Sequence, residues 1–227
     1  MMKNLIFILF ILFIALIQEA IAQHIKVNGG AGIGFFNLSE YKKLNDDVLA
    51  ALPVQGQLIS NFPGTISPEA AIVYETPFNT LAKIRLSWSF HSTGSRISYT
   101  DYSGKYLFDQ TITFTTISTE FGFRIFRSNT YDMHLNASLG ILRGKHNSHE
   151  TLDLYSINYI NIENNNSFTY LNGTVTSEFI KHFNDFDCGF RIGYNYAFLE
   201  LSVERDTAPK PHANGLQLSG FIGFKIF

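Results

Sequence analysis

Residues 185–227 constrain this chain more than any other stretch. Phe186, Cys188, Phe190, Ile192, Tyr194 and Tyr196 alternate with Asp185, Asp187, Gly189, Arg191, Gly193 and Asn195. A period of two is a strand with one apolar and one polar face. After a short turn, Leu199, Leu201 and Val203 oppose Glu200, Ser202 and Glu204, and the final run sets Leu216, Leu218, Ile222, Phe224 and Ile226 against Gln217, Ser219, Gly223 and Lys225. Three amphipathic strands in succession, with charges on their polar faces, predict a closed antiparallel sheet that is apolar on one side and ionic on the other.

The other end of the chain reads as an address. Lys3, the apolar run 5–17 and the small-residue site Ala20-Ile21-Ala22 before Gln23 have the arrangement of a secretory signal peptide. We therefore expect residues 1–22 to be removed and 23–227 to form one barrel domain. No cysteine stands at the cleavage point, so a lipid anchor is not expected. No later stretch approaches the roughly 18 apolar residues of a membrane-crossing helix, so any crossing must be made by strands. With 17 Lys and Arg against 19 Asp and Glu, the charge gives no reason to expect nucleic acid. Cys188 is the only cysteine, which excludes intrachain disulfides and cysteine-built zinc sites.

Alternation marks further strands at 24–37, 69–76, 82–91, 109–126 and 132–141. Residues 38–67 carry the breakers Pro53 and Pro63-Gly64 and read as a long connection, with a short helix at 46–52. Pro77 to Thr80 reads as a tight turn, and 92–105 as a polar loop. A second long connection spans 143–184, its interior a projecting hairpin around Glu163-Asn164-Asn165-Asn166. With 185–196, 199–204 and 216–226, the count is about eight. Were 154–179 to enter the membrane, it would be about ten. Alternately short and long connections are the asymmetry of an eight-stranded antiparallel up-and-down transmembrane β-barrel with long extracellular loops.

Two features turn the apolar face outward. The polar face carries Gly30, Gly32, Gly34, Gly122, Gly140, Gly189, Gly193 and Gly223, small residues suited to a narrow interior. It also carries both signs of charge: Lys83, Arg85, Arg124, Arg191 and Lys225 against Glu75, Glu120, Asp187, Glu200 and Glu204. Facing hydrocarbon, each basic residue would cost about 2–4 kcal/mol at the midplane; inside a lumen the set neutralises itself and leaves no open pore. Phe78, Phe126, Tyr131, Tyr196, Phe198 and Phe227 beside short turns predict one aromatic girdle, and Trp88 and Phe90 the other.

The signal peptide, the first strand Gly30-Ala31-Gly32-Ile33-Gly34, the strand 189–196 and the terminal Gly223-Phe224-Lys225-Ile226-Phe227 together resemble the small outer-membrane β-barrel proteins of Bacteroidota, in the broad OmpX- and OmpA-like group. The resemblance covers nearly the whole mature chain. It implies a bacterial outer-membrane location, contact with outer-membrane lipids and lipopolysaccharide, and delivery by the barrel assembly machinery. Phe224, Ile226 and Phe227 would form the assembly signal, although the apolar row ends here on Ile226 rather than Phe227.

Two constellations could carry chemistry. His91, Ser92 and Glu120 are a conceivable base, nucleophile and orienting acid for lipid A or phospholipid hydrolysis. Outer-membrane lipid A deacylases have a histidine and a serine two residues apart on a strand, whereas here Ser89 and Ser92 lie two before and one after His91. His146, His149 and Glu150 could share a metal only if a turn gathered them. We expect neither site, no cofactor and no enzyme. The expected role is a structural, surface-exposed protein with a largely plugged lumen, whose loops 38–67, 92–105 and 143–183 contact extracellular or envelope partners. An accessory subunit of a secretion or uptake complex is the remaining alternative.

Overall fold

A computed structural model describes residues 25–52, 56–76, 81–154, 159–203 and 214–226. They form nine strands and one helix: β1 (Ile25–Phe36), α1 (Ser39–Ala51), β2 (Gln57–Asn61), β3 (Thr65–Glu75), β4 (Leu81–Asp101), β5 (Gly104–Arg127), β6 (Tyr131–Leu154), β7 (Tyr159–His182), β8 (Phe186–Val203) and β9 (Gly215–Lys225). Strands β3, β1, β9, β8, β7, β6, β5 and β4 follow one another around the sheet, and β4 pairs with both β5 and β3. The circuit is therefore closed by eight antiparallel strands. β2 adds to the upper part of β4, with Leu58 opposite Ile97 and Asn61 opposite Ser95. It continues the line of β3 across a break at 62–64.

Phe62 makes that break, with a left-handed backbone (φ 50°) rarely adopted by a bulky residue. Its N–H donates to the Gly94 carbonyl (3.0 Å), and Thr93 Oγ1 donates to the Pro63 carbonyl (2.8 Å), so β4 holds both sides of the kink. The kink aims the Phe62 ring into the interior, where it is buried.

The outward face is apolar through the half of the barrel nearest the termini. Val27, Ile72, Leu86, Phe121, Leu135, Val175, Ile192 and Ile222 are all at least 42% exposed, while their strand neighbours Lys26, Asn28, Arg85, Glu120, His134, Asn136, Glu178 and Arg191 are buried inside. In water this arrangement would be inside out; in lipid it is required. The molecule is a transmembrane β-barrel. Among the described residues no helix is long and apolar enough to cross a membrane.

Several boundaries differ from expectation. The connection 38–67 contains α1, which starts well before residue 46, and β2. Asn37 Oδ1 accepts the Ser39 N–H (3.2 Å) at the start of α1, and Glu40 lies in the first turn, where the helix dipole favours a carboxylate. The polar segment 92–105 is the paired upper part of β4 and β5, reversing at Tyr102-Ser103. Residues 143–154 and 159–182 are wall as well: β6 and β7 remain in register from Tyr131 opposite Lys181 to Asp153 opposite Tyr159, and 163–166 is strand, not turn. Residues 168–179 therefore enter the wall, yet the count stays at eight because the two runs expected at 185–196 and 199–204 are, over the described residues 186–203, one strand. β8 runs through two irregularities, at Phe198 and Leu201, that disturb its alternation. Tyr196 and Phe198 consequently lie at the level of Trp88 and Phe90, away from the termini. The other girdle is Phe126, Tyr131, Phe183, Phe186 and Phe224, with Phe183 stacked on Phe186 at 4.6 Å. The signal-peptide residues Ala20, Ala22 and Gln23, the turn 77–80, Phe78 and Phe227 lie outside the described residues.

Candidate functional site

The lumen changes character along the barrel axis. In the half near the termini, seven of the eight wall strands contribute charge. Lys26 of β1 pairs with Glu75 (2.6 Å) and Asp187. Lys83 pairs with Glu178, and Arg85 with Glu69. Arg191 bridges Glu69 (2.8 Å) and Glu120, with Glu178 at 3.8 Å. Lower down, Arg124 and His182 approach Asp132 at 3.4 and 3.5 Å, and His182 reaches Asp187 at 2.8 Å. His134 stands between Asp132 and Glu178. Glu178 is the hub: it lies within ion-pairing distance of Lys83, Arg85, His134 and Arg191 and is 1% exposed.

Small residues make room for this. A Cβ on Gly122 would stand 2.6 Å from both Lys83 Cε and Cγ, so any side chain there would displace the lysine. Above the network the lining becomes hydroxyl and amide. Ser87 and Ser118 share a hydrogen bond (2.9 Å), and Asn172 donates to Asn195 (2.8 Å), around a chamber of about 50 Å³.

Above the chamber the interior turns apolar. Phe114, Ile112, Leu142, Phe168 and Tyr170 from β5, β6 and β7 meet Leu38, Tyr41 and Phe62 in a single buried cluster. α1 lies over the inner face of the upper β4–β6 wall. Asn45, fully buried, donates to Asn61 (3.1 Å) and accepts from Gln110 (2.6 Å). Leu44, Val48, Leu49 and Leu52 pack on Ile97, Tyr106 and Phe108 in a second cluster. Outside, the same strands present Thr111, Thr113, Thr115, Lys145 and Asn147. Polar and apolar faces have exchanged sides.

Of the luminal charges expected from sequence, Glu75, Lys83, Arg85, Glu120, Arg124, Asp187 and Arg191 meet in the network. Lys225 is exposed at the terminal mouth, in a recess shared with Lys26, Glu75 and Arg124. Glu200 is exposed on β8 near its two irregularities, and Glu204 lies outside the described residues. Sequence reasoning missed Lys26, Glu69, Asp132, His134, Glu178 and His182. Lys26, Asp132 and His134 occupy the polar rows of recognised strands and were readable. Glu178 was hidden by placing 168–179 in a hairpin projecting beyond the wall.

The chemical constellations are only partly gathered. His91 and Ser92, as neighbours on β4, face opposite sides, whereas Ser89, His91 and Glu120 all line the small luminal chamber; there the His91 ring is buried against the edge of Phe36 (5.0 Å), and Glu120 is held by Arg191. His146 points inward onto Tyr41 (4.6 Å) and Gln110 (3.0 Å), while His149 points out to Glu163 at 3.6 Å. Among the described residues no group of three or more His, Cys, Asp and Glu could hold a metal ion.

No family model matches the chain, and no curated protein matches it. Among solved structures, it is similar to Neisserial surface protein A (12% identity, 89% of this chain and 96% of that one, TM-score 0.43). It is also similar to Ail, the attachment invasion locus protein of Yersinia pestis, in complex with the heparin analogue sucrose octasulfate (13% identity, 88% and 96%, TM-score 0.40). A third is the N-terminal β-barrel domain of Pseudomonas aeruginosa OprF (12% identity, 88% and 96%, TM-score 0.37).

Glu178→Gln leaves Lys83, Arg85 and Arg191 facing one carboxylate fewer, and is expected to lower the unfolding free energy by about 3–5 kcal/mol. Arg96→Ala breaks only the exposed pair with Asp109 and should leave the midpoint in place. Guanidinium titrations of protein in lipid vesicles compare the two; equal midpoints would deny the network its structural role.

Proposed function

We propose that this is a non-enzymatic bacterial outer-membrane protein that anchors a strand-built wall at the cell surface and presents it to lipopolysaccharide and to extracellular or envelope partners. Strand length is the observation that carries this. β5, β6 and β7 are each 24 residues long, whereas about 9–11 suffice to cross a bilayer. The remainder stands clear of the membrane with a polar outside and a packed inside, as a water-exposed sheet must. The termini and short turns share one end, the periplasmic end in barrels of this type, so the long hairpins face outward.

The recognition elements are thus rigid paired hairpins, stiffened by α1, and not loose loops. A signal peptide over 1–22, cleaved before Gln23, supplies export. The terminal strand carrying Phe224, Ile226 and Phe227 supplies the signal to the assembly machinery; Ile226 N–H bonds to the Ile25 carbonyl (3.1 Å), next to the β1–β9 seam that closes the barrel. The charge network below and the aromatic cluster above leave the lumen closed to ions. Ser92 faces away from His91, and Ser89, His91 and Glu120 line a luminal chamber of only about 50 Å³ with Glu120 bound to Arg191, which does not favour the hydrolase alternative acting on an outer-leaflet lipid.

Impermeant maleimide applied to intact cells, in a Cys188→Ser background, should label Asn147→Cys and Asn165→Cys, while Asn129→Cys reacts only after lysis; the reverse pattern would overturn the orientation. Purified protein in planar bilayers should remain silent, and reproducible open conductance would refute the closed lumen.

A further inference from the structure

The level at which the wall changes from greasy to polar is marked by cross-strand register. Trp88, Ile117, Ile141 and Leu171 form one row around β4–β7; Phe90, Thr115, Arg143 and Thr169 form the row above; Ser92, Thr113, Lys145 and Ser167 form the next. The lower row is apolar and the upper two are hydroxyl-rich, with two cations at their centre. Arg143 and Lys145 share one face of β6, about 7 Å apart along the strand. They border a groove of about 680 Å³ on the outer face of the barrel, whose apolar floor is Phe90, Ile117 and Ile141 and whose other wall is Thr113 and Thr115.

Charge distribution separates these cations from their neighbours. Higher on the same wall, Arg96 is bonded twice to Asp109 (2.6 and 2.8 Å), and His149 lies 3.6 Å from Glu163. Arg143 and Lys145 are exposed and form no ion pair with any described residue. An unpartnered arginine and lysine at a lipid boundary, flanked by hydroxyl donors and standing directly over an apolar groove, complement an amphiphile with an anionic head. The guanidinium suits a phosphate through paired N–H donors, and the ammonium adds a point charge.

We infer that the outer face of β4–β6 is a binding site for the phosphorylated headgroup of a lipopolysaccharide molecule. Arg143 and Lys145 engage its phosphates, Thr113 and Thr115 its sugar or phosphate oxygens, and an acyl chain lies along Phe90, Ile117 and Ile141. The inference rests on the outward orientation proposed above, and it gives the lipid contact a location and a chemistry. Lipid held there would also fix the depth of the barrel, because the cations cannot sink below the headgroup layer and the apolar row cannot rise above it.

Native mass spectrometry of the full chain, purified in a mild detergent and titrated with diphosphoryl lipid A or its dephosphorylated form, tests this. Wild-type protein should hold the diphosphorylated lipid at least tenfold more tightly. The exposed double variant Arg143→Gln/Lys145→Gln should bind it roughly 10- to 30-fold more weakly and retain its affinity for the dephosphorylated lipid. Arg96→Gln, which alters a paired charge higher on the same wall, should bind as wild type. Equal affinities of the wild type and the double variant would overturn the site while leaving the surface orientation intact. Displacement of the lipid by millimolar inorganic phosphate would overturn it too, since the acyl contacts would then contribute nothing. Reversed labelling of intact cells would instead remove the orientation on which the site depends.

Discussion

Every backbone N–H and C=O within the hydrocarbon must find its partner inside the protein, and the remainder of the structure depends on how this chain meets that condition. Strands meet it only when the sheet has no edge. Here β1 pairs along its length with both β3 and β9, and β4 with both β3 and β5, so the circuit has no open strand at membrane depth. Closure creates an inside and an outside, and strand alternation then sends every second side chain to each. The ion network is a consequence: eight strands make a lumen so narrow that side chains fill it, and charges placed there must be neutralised by one another.

Beyond the membrane the same alternation has to serve a different solvent. β6 passes from Leu139 and Ile141 on the outside to Arg143, Lys145 and Asn147, while its inner row passes from His134 and Asn136 to Leu142 and His146. No shift of register intervenes, because β5 and β6 keep a constant pairing from Gly104 opposite Leu154 down to Arg124 opposite His134. The exchange is written in the residues alone. It lets one continuous hairpin be a membrane wall at its base and an ordinary water-soluble sheet at its tip, with α1 and the kinked Phe62 supplying the packed interior that a sheet in water requires.

This exchange also explains what was legible in the sequence. Where hydrocarbon is the solvent, large apolar residues alternate with charged or small ones, and strands such as 24–37, 132–141 and 185–196 announced themselves, together with the direction of their faces. Above the membrane the outward residues are Thr, Asn and Lys, and the inward ones include Gln110 and His146. The contrast between rows disappears, so 92–105 resembled a loop and 143–167 a connection with a projecting hairpin, although 92–101 pairs with 104–113 and 143–153 with 159–169 in the wall. The irregularities at Phe198 and Leu201 split β8 into two apparent strands by disturbing its alternation. The hidden β7 and the divided β8 offset each other, which is why the expected count of eight agrees with the structure although its membership differed. Glu178 was lost with β7, and the luminal network was read without its hub. The pairing of Glu69 with both Arg85 and Arg191 depends on which strands become neighbours across the lumen, which no local pattern encodes.

The central claim is that outward and inward rows exchange character along an unbroken strand at the membrane surface. Spin labels placed singly along β6 at positions 135–147, in protein reconstituted into vesicles, test it through their accessibility to oxygen and to a water-soluble nickel chelate. The structure predicts that labels at 135, 137, 139 and 141 meet oxygen but not nickel, that those at 143, 145 and 147 meet nickel, and that those at 136, 142 and 146 meet neither. Nickel access at 135–141 together with shielding at 143–147, or access that follows the even positions, would contradict it.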